Sequence, residues 1–406
     1  MSYPDGLNIM STGLSWPSVQ PGGLNTYFKS VCEQLSSRNR VQALICTKEM
    51  PATPEELIIH NAGDPKESIW KRKDAFQRKA ADMFNSGKER IDILYSHFAP
   101  YGVGPAIEAK KRGIPVVMTF HGPWNEEMKI EGQGIKHQVK TAIAKSIERK
   151  AYRLADKFIV LSETFRDILH SLHGIPLDKI VIIPGAANID RFIPSSNRLA
   201  VRRMLNLPEG ATTVLTVRRL VNRMGLLQLL EAWRSVSERF PNAILLIGGK
   251  GPLRAELEGR IADYGLTSKV RLLGYIPDHE LASYYQAADL FVVPSQALEG
   301  FGLITTEALA SGLPVMATPI GGNREILQNF RPELLFKSSS AADMAEGISH
   351  MLGNRRLLPS REECREHVLE RYTWEHVADQ VEAVFREVMG KGETLDAESG
   401  IYRSHG

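Results

Sequence analysis

Cysteine is scarce in this sequence. Cys32, Cys46 and Cys364 form an odd set with no close pair among 406 residues, which argues against a disulfide framework and against a zinc site. A reducing compartment, the cytoplasm, is the simplest setting. No apolar run reaches the length of a membrane span. The first residues, Met-Ser-Tyr-Pro-Asp-Gly, carry no basic stretch followed by an apolar one, so no secretory signal is expected. Charge of one sign is not in excess either: 50 Lys and Arg against 47 Asp and Glu leave a net charge of +3, and no nucleic-acid partner follows from that balance. An Asp-x-Asp motif of the kind that holds a metal is missing, as is a His-x-Glu zinc pattern, so no metal and no resident cofactor are expected. The loop Gly249-Lys250-Gly251 lacks the third glycine of a dinucleotide fingerprint and does not follow a first strand, which weakens a dehydrogenase reading.

What is present is a βα rhythm. Leu7–Met10, Val41–Cys46, Ile91–Tyr95, Pro115–Phe120, Phe158–Leu161 and Ile180–Ile183 are short, β-branched and near-continuously apolar, the look of strands buried on both faces of a parallel sheet. Helical patterns separate several of them, as crossovers require. The rhythm restarts with Thr213–Val217, Ala243–Ile247, Val270–Leu272, Leu290–Val293 and Pro314–Ala317. The chain is too long for one ordinary core, and Ile193–Arg198, reading Ile-Pro-Ser-Ser-Asn-Arg, has linker composition near its middle. The expectation is an α/β protein of two doubly wound, Rossmann-like domains, residues 1–193 and 194–373, facing one cleft at the carboxyl ends of their strands. A helix at Trp374–Val388 follows from the apolar spacing of Val377, Val381, Val384, Phe385 and Val388. It falls in a segment, 374–390, that precedes a mobile tail, 391–406.

The stretch Glu299–Glu307, Glu-Gly-Phe-Gly-Leu-Ile-Thr-Thr-Glu, carries the most chemistry. It follows a strand and opens a helix. Gly300 and Gly302 let the backbone approach a ligand, and free amides at a helix start attract an anion such as a diphosphate. Glu307, one turn in, can accept hydrogen bonds from hydroxyls, and Glu299 sits where a sugar on that diphosphate would lie. A glycine-rich turn flanked by two solvated glutamates is the plain alternative for so short a motif.

Ser295–Glu325, with Glu-Gly-Phe-Gly, Ser-Gly-Leu-Pro-Val and Gly-Gly-Asn-Arg-Glu, resembles the donor-site signature of the retaining GT-B glycosyltransferases of family 4. Pro21-Gly22-Gly23 resembles that family's N-terminal glycine loop, Thr119-Phe120-His121-Gly122 its histidine motif, and Ile183–Phe192 its inter-domain segment, although Gly185-Ala186 stands in place of the usual Asn-Gly. Gly248-Gly249-Lys250-Gly251-Pro252 and Leu273-Gly274-Tyr275-Ile276 resemble its nucleotide loops. Tyr372-Thr373-Trp374 resembles the start of the C-terminal helix that returns to the first domain. The resemblance spans more than 300 residues. It implies transfer of a sugar from a nucleotide sugar, with UDP-glucose the first donor to consider, to a saccharide or lipid-linked acceptor. By resemblance, Glu307 binds the ribose, and Glu299 and His121 contact the donor sugar. The amides of Gly302 and Leu303 meet the diphosphate, and Gly300 and Phe301 belong to the same donor-binding loop. Tyr275 and Ile276 frame the base beside Gly249 and Lys250, and Gly23 admits phosphate or acceptor. An epimerase or hydrolase of the same fold, or a weakly active donor-binding scaffold subunit, shares these features.

One departure stands out. The family places Gly-Arg, then Lys five residues after the Arg, around the diphosphate. Aligned on Leu220, Val221 and Gly225, Arg219 matches the Arg, but Met224 replaces the Lys. A thioether cannot stabilise a departing diphosphate, a large term in such reactions. Arg218 and Arg223 repeat the spacing one position earlier and are expected to take over.

Two first-half segments are basic: residues 66–90 hold eight Lys or Arg against four acids, and 136–157 hold seven against two. Ile143, Ile147, Ala151, Leu154 and Phe158 in the second have helical spacing, which suits an amphipathic helix packed on its own domain. Trp70 and Phe76 in the first would suit peripheral contact with an anionic membrane.

Overall fold

The computed structural model describes residues 6–86, 90–131 and 135–390; the tail 391–406 lies outside the described residues. The chain forms two compact units, Met1–Gly185 together with Trp374–Gly406, and Ala186–Thr373.

In the first unit the strands are β1 (Asn8–Thr12), β2 (Arg40–Ile45), β3 (Leu57–Asn61), β4 (Ile93–Ser96), β5 (Val116–Phe120), β6 (Lys157–Val160) and β7 (Ile180–Ile182). They pair in parallel in the order β3-β2-β1-β4-β5-β6-β7. Inner strands β4 and β5 are buried at every position, so their apolar runs are continuous. The edge strand β3 escaped the sequence reading. Its burial alternates and ends on His60 and Asn61, so it lacks the continuous apolar signature of its neighbours.

The second unit holds β8 (Thr212–Val217), β9 (Ala243–Gly248), β10 (Val270–Gly274), β11 (Leu290–Val293) and β12 (Val315–Ala317). They are parallel, in the order β10-β9-β8-β11-β12. With their covering helices, both units are Rossmann-like.

The boundary falls between Gly185 and Ala186, not at residue 193. The Ala187 amide donates to the Tyr372 carbonyl at 3.0 Å. Arg365 donates to the carbonyls of Phe192, at 2.8 Å, and Ile189, at 3.1 Å. The linker-like composition at 193–198 marks a helix start instead: Asn197 caps Arg198–Met204 by accepting from the Ala200 amide.

Helix Trp374–Val388 belongs to the first unit and packs on helix Gly23–Leu35. Its Trp374 meets Tyr27 edge-on at 5.2 Å, Phe385 meets Tyr95 at 5.0 Å, and Glu387 pairs with Lys157 at 2.5 Å.

On helix Ile69–Asn85, Trp70 is half-exposed but Phe76 is fully buried and stacked on Tyr101 at 4.6 Å. Phe76 is therefore core and no part of a surface. On helix Ile135–Tyr152 the buried stripe is Thr141, Ala144, Glu148 and Ala151, which leaves Ile143 exposed. The rest of the expected apolar stripe, Ile147, Ala151, Leu154 and Phe158, packs on the core, and Glu148 is buried beside it. Among the described residues no helix is long and apolar enough to cross a membrane.

Candidate active site

In the second sheet the chain runs outward from β8 through β9 to β10, then returns to place β11 on the other side of β8. The loops that leave β8 and β11 therefore diverge at the carboxyl edge, the place where such sheets bind ligands. They are tied together: the Gln296 amide donates to the Arg223 carbonyl at 2.8 Å.

Arg218, the first residue after β8, turns inward. It donates to Ser295 Oγ at 2.8 Å and to a Glu299 carboxylate oxygen, while Ser295 Oγ donates to the same oxygen at 2.8 Å. The Arg218 and Glu299 side chains are 4% and 14% exposed. Burial pushes the Glu299 carboxyl upward, but the charge and hydrogen bond of Arg218, the Ser295 hydroxyl and the charge of Arg223 outweigh it and hold the group below its ordinary value. Arg223, also buried, donates to the Leu298 carbonyl at 3.1 Å. Leu298 has φ 51, a left-handed conformation that disfavours a γ-branched side chain. The Arg223 bond helps hold that residue, and with it the entry to Glu299. Arg219 is exposed and Met224 is buried. Ser295 and Leu298 were not singled out from sequence; the first acts through a contact 77 residues away, and backbone strain leaves no mark in composition.

Helix Leu303–Ala310 begins at Gly302, which has φ 104 and no side chain to cap the first amides. A Cβ there would lie 2.2 Å from Asn323 Oδ1, so only glycine lets the chain turn. Uncapped amides and the helix dipole favour negative charge at such a helix start. Phe301 is buried against Tyr372, ring centroids 5.5 Å apart. Its side chain is packing, and only its backbone faces the turn.

Glu307 lies on the same helix, 9% exposed. Tyr285 donates to it at 3.3 Å. Burial pushes its carboxyl up to about 8 despite Arg191 and that hydrogen bond. The sign of the consequence is definite. An unfolded Glu ionises near pH 4.5 while the folded one keeps its proton until about 8, so the folded state binds more protons and stability falls as pH rises through that window. Glu307→Gln keeps the shape and removes the titration. Urea unfolding should show the variant gaining on the wild type from pH 5 to pH 8, by roughly 3 kcal/mol. An equal gap at both pH values would contradict the raised carboxyl.

At the far side of β8, the Gly249 amide donates to the Gly274 carbonyl at 2.6 Å and the Leu220 amide to the Lys250 carbonyl at 2.9 Å. Lys250 Nζ stands 4.8 Å from the centroid of the half-exposed Tyr275 ring, and Ile276 is buried beneath. Sequence-selected Gly249, Lys250, Tyr275 and Ile276 thus meet in one place, as Arg218, Arg223, Glu299, Gly300 and Gly302 do in another.

His121 and Gly23 belong to the first unit. Gly23 is the first residue of helix Gly23–Leu35. His121 follows β5, and its Nε2 is 3.3 Å from Nδ1 of His97, the residue after β4. Burial pushes His121 down to about 3 and His97 well down, so both rings are neutral. His97 was missed from sequence because a lone histidine at a strand end carries no motif.

Comparison with known proteins adds kinship to this geometry. Residues 197–371 match the family described as glycosyl transferases group 1, and residues 21–191 match glycosyltransferase family 4. The chain is 27% identical over 394 residues to a D-inositol 3-phosphate glycosyltransferase of Corynebacterium aurimucosum, covering 92% of each. Among solved structures, sucrose-phosphate synthase of Thermosynechococcus elongatus superposes with TM-score 0.78 at 24% identity, over 95% of this chain and 99% of that one. Anabaena HepE in complex with UDP and glucose gives TM-score 0.74 at 18% identity, over 94% and 100%. These likenesses give the fold of both units as GT-B.

Proposed function

The chain belongs to the glycosyltransferases of group 1 and family 4, and from that premise we propose that it moves a sugar from a nucleotide diphosphate sugar to a saccharide, free or lipid-linked, with retained anomeric configuration and without a metal. One observation carries the donor reading: Arg218 and Arg223 both bond the loop of Leu298 and Glu299, and that loop runs into the uncapped amides of helix Leu303–Ala310. That is a positive, protein-built cradle of the kind a diphosphate leaving group needs. HepE is described with UDP and glucose, which makes UDP-glucose the first donor to test.

In this reading the bond from the sugar's anomeric carbon to the phosphate oxygen breaks through an oxocarbenium-like state. An acceptor hydroxyl oxygen bonds to that carbon from the same face, and its proton passes to the departing phosphate oxygen. Glu299, kept ionised by Arg218, contacts the donor sugar. Glu307 accepts hydrogen bonds from the ribose hydroxyls.

The test is a thermal-shift series with UDP, GDP, ADP and their common sugars, with and without EDTA. A ligand at about a hundred times its dissociation constant stabilises by roughly 2.7 kcal/mol. A shift with UDP and UDP-glucose that survives EDTA is expected. Loss of the shift with EDTA would overturn metal independence. No shift with any nucleotide would make Met224 the mark of a lost donor site and favour a scaffold subunit.

A further inference from the structure

The first unit contains a cavity of ≈ 70 Å³ at the carboxyl ends of β4 and β5, lined in part by His97, His121, Trp124, Glu127, Glu148 and Tyr152. That is room for about two waters, or for one hydroxyl-bearing edge of a larger molecule. Two of the lining side chains hold buried polar atoms without a partner, Glu148 Oε2 and His97 Nε2. Both residues are fully buried. A buried polar atom left unpaired is costly and calls for a reason. Glu148 has a structural task as well: the amides of Trp124 and Asn125, at the start of helix Trp124–Glu131, bond its carboxylate. That task leaves Oε2 unused.

We infer that this cavity receives an uncharged hydroxyl group of the acceptor, with Glu148 Oε2 and His97 Nε2 as its hydrogen-bond partners, and that it rejects a phosphate. The inference rests on the glycosyltransferase reading and names the acceptor class. A hydroxyl both donates and accepts, so it can satisfy a carboxyl oxygen and a neutral imidazole nitrogen in either tautomer. A phosphate only accepts and carries negative charge. Among the described residues that line the cavity the acids are Glu127 and Glu148, there is no Lys or Arg, and both histidines are held neutral by burial. Burial pushes Glu148 up to about 7, which agrees with a group adapted to a hydroxyl. The relative from Corynebacterium aurimucosum is named for D-inositol 3-phosphate; this cavity predicts a different acceptor for the present chain.

The experiment compares matched acceptor pairs, myo-inositol with D-inositol 3-phosphate and glucose with glucose 6-phosphate, in transfer from the nucleotide sugar that gives the thermal shift. Donor hydrolysis to water is measured in parallel as a control on donor chemistry. Neutral members should be used at least about ten-fold better than their phosphates. Glu148→Gln keeps an oxygen to bond the helix amides but replaces Oε2 by an NH2. It should lower kcat/KM for the neutral acceptor by at least about ten-fold, and by more than it lowers kcat/KM for the phosphorylated member of the pair. Equal or better use of the phosphorylated member overturns the inference. So does an unchanged kcat/KM in Glu148→Gln, or failure of every neutral acceptor while donor hydrolysis proceeds. If no nucleotide sugar is bound or hydrolysed, the donor reading has failed instead. The same pairs are then compared by thermal shift, where protection by the neutral member supports the cavity's assignment and protection by the phosphate, or by neither, overturns it.

Discussion

Arg218→Ala should lower the stability of the second unit by about 3–5 kcal/mol, the cost of leaving a buried charge without its partner. Removal of Arg218 strips Glu299 of the guanidinium that outweighs its burial and leaves it the Ser295 hydroxyl as a side-chain donor. The carboxyl should then rise toward the neutral form, and transfer should fall by at least about a hundred-fold, since the charge facing the donor changes with it. Urea unfolding and initial rates measure the two effects. Arg218→Ala combined with Glu299→Ala should recover part of the stability and none of the activity, because the pair is then absent but the chemistry is too. A loss below about 1 kcal/mol would mean that the ion pair behaves like an exposed one, screened by water.

Gly321→Ala should be comparably severe by a different route. Gly321 has φ 58, and a Cβ on it would lie 1.8 Å from the Glu299 carbonyl oxygen. The clash is with backbone, so no rotamer relieves it, and the left-handed φ adds strain of its own. The loop that carries Glu299 must shift by an ångström or more. A displacement of that size costs about a hundred-fold in rate, and the strain should cost about 2–4 kcal/mol of stability. Gly259→Ala is the matched control. Gly259 sits in helix Arg254–Asp263 with nothing within 4 Å of the added Cβ, and there alanine should stabilise by up to about 1 kcal/mol. Normal rates in Gly321→Ala would show that the Glu299 loop has slack that the backbone contact conceals.

Arg218 also shows how far local pattern carries a functional argument. Motif alignment selects Arg219 as the phosphate-clamping arginine and flags Met224 as a gap. In the fold Arg218 is buried, with partners 77 and 81 residues along the chain, while Arg219 is exposed. Neighbouring residues leaving a strand point to opposite sides, and which side faces the site depends on where β11 ends. The same logic applies to helix Ile135–Tyr152. Its apolar spacing placed Ile147 and Ala151 correctly against the core but also Ile143, which is exposed, and gave no sign that Glu148 is buried, where it is a partner for the amides at 124 and 125. Phe76, set among lysines and arginines, read as a surface residue and is core.

The sequence by itself determined the strand positions other than β3, the restart of the βα rhythm, the extent of helix Trp374–Val388, and the motifs around Glu299 and Glu307. These are local properties: burial on both faces makes a strand continuously apolar, a helix face repeats with its turn, and a tight turn needs glycine where it occurs. Only the tertiary structure decided which arginine holds Glu299, that Ser295 completes that group, that His97 meets His121, and that Glu148 turns into a cavity. Each depends on side chains far apart in sequence that meet where separate strands end, and no spacing along the chain encodes such a meeting.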